Sequence, residues 1–129
     1  MREILFRGKR VDNNDWVYGY VYIDEKAHYI LEHDENRYRK HFYDYEVIPE
    51  TIGQYTGLTD KNGKKIFEGD IIKYIDEETS YTVMFDPTGY WCLDGNGARN
   101  SEMLIYDDHY KYIEVIGNIY DKEVQNENN

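Results

Sequence analysis

The sequence predicts an all-β fold, mostly antiparallel, built as a small barrel or a sandwich of short strands. Three observations carry that expectation. β-branched and aromatic residues recur in short runs, with tyrosine alone contributing 15 of 129 residues. Asn, Asp, Gly and Pro punctuate the chain every several residues, and these are the residues that accept tight reversals. One run, WVYGYVYI at 16–23, alternates at the two-residue period of a strand.

Taken in order, residues 3–7 (EILFR) read as a first strand, and 11–15 as a turn in which Asp12, Asn13 and Asn14 all tolerate the left-handed region. The second strand, 16–23, places Trp16, Tyr18, Tyr20 and Tyr22 on one face and Val17, Gly19, Val21 and Ile23 on the other, and both faces read as covered. A polar turn at 24–26 leads to a strand at 28–31, and a further turn follows at 33–36. Residues 38–48 are ambiguous between helix and strand; their Tyr, Phe and Val content leans toward strand. Pro49 breaks the pattern because it cannot donate to a ladder.

The densest signal lies in VIPETIGQYTGLTDKNGKKIFEGDIIKY, residues 47–74. Residues 52–55 are β-prone, Asp60, Asn62 and Gly63 mark a reversal, 64–67 form the returning strand, Glu68-Gly69-Asp70 makes a second break, and Ile71, Ile72 and Tyr74 supply another strand. Beyond a charged loop at 76–78, alternation resumes at Tyr81, Val83 and Phe85. Asp86-Pro87-Thr88-Gly89 fits a type I turn, 90–93 a strand and 94–97 a turn. Ser101 is positioned to cap one short helix near residues 101–107. Residues 111–120 read as the last strand, where Gly117 signals a bulge or a close backbone contact.

The length suits one domain over 1–120, with 24–48 a candidate inserted subdomain and 121–129 a polar, disordered tail. A single cysteine, Cys92, forms no intramolecular disulfide and fits a reducing cytoplasm. Arg7, Gly8, Lys9 and Arg10 interrupt the first apolar residues and leave no signal-peptide core, and no apolar run approaches a membrane span. The expected location is the host-cell cytoplasm. Fifteen basic against 26 acidic residues give a net charge of −11, a field that favours basic partners and disfavours nucleic acid as the main ligand. Arg2, Arg7, Lys9 and Arg10 nevertheless form a locally basic start.

The runs IGQYTGLTDKNGKKIFEGDII, MREILFRGKR and IEVIGNIYD together resemble the YopX-like proteins, a family found in bacteriophages and prophages. The three segments occur in the family's order. The resemblance implies a mostly β fold and a phage-derived gene, and it transfers no catalytic residue.

No residue set specifies a reaction. Asp60-Lys61-Asn62-Gly63 fails as a calcium loop, because the glycine comes too early and Ile71 stands where a bidentate Glu is required, so a hairpin turn is the better reading. His28, His33, His41 and His109 lack zinc-site spacing. Asp107, Asp108 and His109 are adjacent on the chain and do not converge if extended. Glu68 and Asp70 read as turn-shaping groups that bond nearby backbone N–H. The sequence therefore predicts no catalytic residue, no cofactor and no metal.

The aromatic row Trp16, Tyr18, Tyr20, Tyr22 is the main functional candidate. An inward sheet face covered by the same chain is the favoured reading, a subunit interface comes next, and base stacking comes last because the chain is acidic. The expected protein is a non-enzymatic, phage-encoded association protein, a homo-oligomer or the partner of a host or phage protein, with no membrane contact. The alternative is a small nucleic-acid-binding barrel using Arg2, Arg7, Lys9 and Arg10 with Trp16 and Tyr18.

Overall fold

Short alternating runs closed by turn residues produce strands throughout. The structure is a computed structural model and describes residues 3–32, 43–85, 91–95, 98–100 and 112–121. Eleven strands are present among these residues: β1 (Phe6–Lys9), β2 (Trp16–Asp24), β3 (Ala27–Glu32), β4 (Asp44–Val47), β5 (Gly53–Thr59), β6 (Lys65–Phe67), β7 (Asp70–Tyr74), β8 (Ser80–Phe85), β9 (Trp91–Gly95), β10 (Ala98–Asn100) and β11 (Ile113–Asn118). A 3-10 turn spans Pro49–Thr51. The all-β expectation is met. The expected short helix near 101–107, the turn at 86–89 and the tail beyond Asp121 lie outside the described residues. The contacts divide the chain into two compact units, with the boundary between Tyr55 and Thr56.

In the first unit, β4, β3, β2, β1 and the start of β5 are neighbours in that order, with antiparallel pairing throughout. The β1–β2 turn forms as the Asp/Asn run predicts: Asn14 takes φ 62°, and the Asn13 side-chain oxygen accepts from the Asp15 N–H at 2.9 Å. Glu25, at φ 57°, makes the next reversal so tight that Asp24 pairs with Ala27. Val17, Ile30 and Val47 are buried together, with Phe6, Val21, Tyr45 and Ile52 against them.

This sheet curls. Arg10, just past β1, forms an isolated bridge with Val47 of β4, flanked by bonds from Val11 N to Glu46 O and from Ile48 N to Lys9 O. The curl stops at that one bridge, because two four-residue strands meet only at their ends and cannot sustain the continuous stagger of a closed sheet. Neither sheet closes, so the barrel expectation is not met. Two glycines permit the curvature: a Cβ on Gly19 would lie 1.9 Å from the Leu31 carbonyl oxygen, and one on Gly8 would lie 3.1 Å from the Val47 side chain.

In the second unit, β5 continues and pairs with β6, and the reversal between them uses Gly63 at φ 82°. β10, β9, β8, β7 and β11 form a five-stranded sheet in that order. Ile66, Ile72, Val83 and Ile113 are buried as one cluster, packed by Leu58, Tyr74, Tyr81 and Val115. Burying each aliphatic side chain contributes about 1.5–3 kcal/mol. The register of β11 against β7 slips between Val115 and Gly117, the bulge that Gly117 signals.

Two carboxylates organise this unit. Asp60 is 5% exposed. Its Oδ1 accepts from the Asn62 and Lys64 N–H groups, both at 2.9 Å, and its Oδ2 accepts from the Val115 N–H at 3.0 Å. Lys61 N–H adds a bond to the Ile113 carbonyl at 3.0 Å. The turn thus serves as the partner for the outer edge of β11, an edge that would otherwise present unpaired backbone groups. Asp70, 1% exposed, accepts from the Phe67 N–H at 2.7 Å and so shapes the β6–β7 reversal as expected.

Candidate functional site

The exposed face of the first unit follows from strand register. Opposed residues in an antiparallel pair share a face. Arg7 opposes Tyr18 and Lys9 opposes Trp16; Tyr20 opposes Leu31 and Tyr22 opposes Tyr29; Leu31 and Tyr29 oppose Asp44 and Glu46. One face therefore gathers the Trp16, Tyr18, Tyr20, Tyr22 row, bordered by two cations on β1 and two carboxylates on β4.

This corrects the expectation that both faces of β2 are covered. Tyr18 is 43% and Tyr20 50% exposed, whereas Val17 and Gly19 on the opposite face are buried. The small side chains face inward because the curled sheet brings the β3 backbone against Gly19, which leaves no room for rings on that side. The face has internal order. The Arg7 guanidinium lies 4.5 Å from the Trp16 ring centroid and the Lys9 ammonium 5.5 Å, both within cation–π range. Tyr22 and Tyr29 stack with centroids 5.1 Å apart and planes 14° from parallel. The Tyr22 hydroxyl donates to the Asp44 carboxylate. That bond, reinforced by partial desolvation and the Asp44 charge, pushes the Tyr22 hydroxyl up to about 12.

The basic residues of the nucleic-acid alternative are not presented as a group. Arg7 is 4% exposed. Arg10 is held by Asp12 through two bonds, at 2.9 and 2.6 Å, and its guanidinium lies 4.3 Å from the Tyr45 ring centroid, away from the aromatic row. Lys9 shares the row's face, and Arg2 lies outside the described residues.

Among the described residues, no group of three or more His, Cys, Asp or Glu side chains could hold a metal ion, and no helix is long and apolar enough to cross a membrane. His33, His41 and the Asp107-Asp108-His109 run lie outside the described residues. The sequence reading missed Tyr29, Leu31, Asp44 and Glu46 as members of the face. A two-residue reversal at Glu25-Lys26 would have found the first two, because pairing Asp24 with Ala27 puts Tyr29 opposite Tyr22 and Leu31 opposite Tyr20. A longer turn with the strand starting at His28 does not fix that register.

The model of the family described as YopX protein matches residues 5–124, nearly the whole chain. The chain belongs to the YopX family. No curated protein matches it. Family membership agrees with the resemblance in the three quoted segments. The aromatic face of this YopX-family chain is identified by geometry alone.

Proposed function

We propose that this YopX-family protein acts by binding another protein through the aromatic face of β2, without catalysis, in the cytoplasm of a cell that carries it on a phage or prophage. The observation that carries the reading is the exposure of Tyr18 and Tyr20 at the centre of the row, while Val17 and Gly19 on the opposite face are buried. Large aromatic rings left in water on a rigid sheet are typical of protein interfaces, where tyrosine supplies contact area at low entropic cost. The family contributes the phage origin, and the charge of −11 favours a partner with basic margins.

The test is capture and cross-linking with the intact protein and with a Tyr18→Ser/Tyr20→Ser variant. Both side chains are exposed, so thermal stability is expected to change little while association falls roughly 10-fold or more, as for central aromatic anchors. Association unaffected by the double variant would overturn the reading.

Trp16 flanked by Arg7 and Lys9 supports a second reading, a stacking platform for single-stranded nucleic acid. It predicts binding that weakens with salt at a log–log slope of about −0.7 per neutralised phosphate. Salt-independent binding, or none, removes it.

A further inference from the structure

We propose that Asn62 is a self-modification site, where the backbone nitrogen of Gly63 attacks the Asn62 side-chain amide at a rate set by the hold of Asp60 on its turn and on β11. The inference is independent of what the β2 face binds.

An asparagine followed by glycine is the dipeptide in which this attack is least hindered, because glycine has no Cβ to shield its nitrogen. The chain has two such pairs, Asn62-Gly63 and Asn96-Gly97, and the second lies outside the described residues. Asn62 and Gly63 are both exposed. Among the described residues, no atom lies within 4 Å of where a Gly63 Cβ would stand, so water and base reach this peptide bond.

The reaction needs no reagent but water. The Gly63 N–H gives its proton to base, the nitrogen bonds to Asn62 Cγ, and the Cγ–Nδ2 bond breaks as the side-chain nitrogen takes up a proton and leaves as ammonia. Water then opens the five-membered imide at either carbonyl. Opening at Cγ leaves aspartate. Opening at the main-chain carbonyl leaves isoaspartate, in which the chain runs through Cβ and Cγ and is one carbon longer.

The folded turn holds this chemistry back. Gly63 N–H donates to the Asp60 carbonyl at 2.9 Å, and Asp60 N–H donates to the Lys64 carbonyl at 2.7 Å. With Gly63 at φ 82°, this is the pattern of a three-residue hairpin loop closed by a left-handed glycine. The N–H that must ionise is therefore already bonded. The Asp60 carboxylate, which accepts from the N–H groups on either side of it, also opposes a second negative charge there. For the Gly63 nitrogen to reach Cγ, the Asn62 ψ must rotate out of the loop and break these bonds, so ring closure waits for local opening.

The same carboxylate holds the Val115 N–H of β11 at 3.0 Å, which links the modification to the sheet. In the isoaspartate form the extra carbon carries the N–H groups of residues 62 and 64 apart, and one oxygen no longer accepts both. The Asp60 side chain is then drawn off β11. A slow, one-way step thereby uncovers a strand edge, the kind of surface that pairs with other chains.

Peptide mapping by mass spectrometry tests the proposal on the intact protein held in mildly alkaline buffer, with electron-transfer fragmentation to separate isoaspartate from aspartate. Protein unfolded in urea sets the ceiling, and native wild type is expected to convert at Asn62 at least roughly 30-fold more slowly. Asp60→Ala removes both bonds inside the turn and is expected to speed native conversion roughly 10- to 30-fold, while Asn96 keeps its wild-type rate. Asp60→Asn keeps one oxygen for the turn and is expected to give roughly 3- to 10-fold; it carries the comparison if circular dichroism shows Asp60→Ala unfolded. The converted fraction, separated by anion exchange on its added negative charge, is expected to lose Val115 amide protection roughly 10-fold or more. Asn62→Asp, which adds the charge without the extra carbon, keeps that protection. Native conversion as fast as in urea, no acceleration in the folded Asp60 variants, acceleration shared equally by Asn96, or a converted protein with Val115 still protected would each overturn the proposal.

Discussion

Removing the Asp60 carboxylate tests how the second unit is held together. The carboxylate accepts three backbone N–H bonds, two inside its own turn and one from Val115 across 55 residues of sequence. Asp60→Asn keeps one oxygen for the turn but offers an amide N–H to the Val115 N–H. That loses one charge-assisted bond and leaves a donor without an acceptor, a cost of about 1.5–3 kcal/mol. Asp60→Ala removes all three bonds. Asn62 and Lys64 are exposed, so water replaces part of what their N–H groups lose, at about 1 kcal/mol each, and with the Val115 term the total is about 3–5 kcal/mol. That is a large share of the ~5–15 kcal/mol that holds a domain folded.

Urea unfolding followed by circular dichroism measures the loss, and amide exchange at Val115 reports the edge directly. The pH dependence has a definite sign. Burial by itself would raise the Asp60 carboxyl, but the bonds from Val115, Lys64 and Asn62 outweigh it and hold the carboxyl below its usual range. The folded value is therefore below the unfolded one. The stability gap between wild type and Asp60→Asn should be complete above about pH 4, the unfolded carboxyl value, and should shrink as pH falls through the depressed folded value. An Asp60→Ala protein within about 0.5 kcal/mol of wild type at pH 7, the size of an ordinary surface change, would refute the reasoning.

Two further outcomes are expected. Gly19→Ala puts a methyl where only 1.9 Å separates the Cβ position from the Leu31 carbonyl oxygen; β2 and β3 must part, at about 3 kcal/mol or more, and unchanged chemical-denaturation stability would contradict the packing described. In a spectrophotometric titration, Tyr22 ionises near pH 12 because of its bond to Asp44, so Asp44→Asn is expected to move one tyrosine back toward its ordinary value of about 10, and Tyr22→Phe to abolish that difference.

Turn positions were readable from the chain because they depend on local backbone demands. Asn14, Gly63 and Gly69 all take positive φ, and the Asn, Gly and Glu-Gly-Asp signals fall at those positions. The bulge beside Gly117 is of the same kind. Glu25 also takes positive φ inside the polar turn read at 24–26, but no Asn or Gly marks which residue reverses the chain, and this is where the β3 register was lost. The break between the two units falls inside β5, where no linker composition marks it. Asp60 reads locally as a turn former; its bond to Val115 depends on a strand 55 residues away.

The sequence by itself determined that Trp16, Tyr18, Tyr20 and Tyr22 share one side of a strand, since a two-residue period is a property of extended backbone. Which side faces water was decided only by tertiary structure. Val17, Ile30 and Val47 come from three strands and cluster only after β1 to β4 curl, and the close approach of Leu31 to Gly19 commits the small side chains inward and leaves the rings exposed. Alternation is a local rule, whereas burial is set by what the rest of the chain brings against each face.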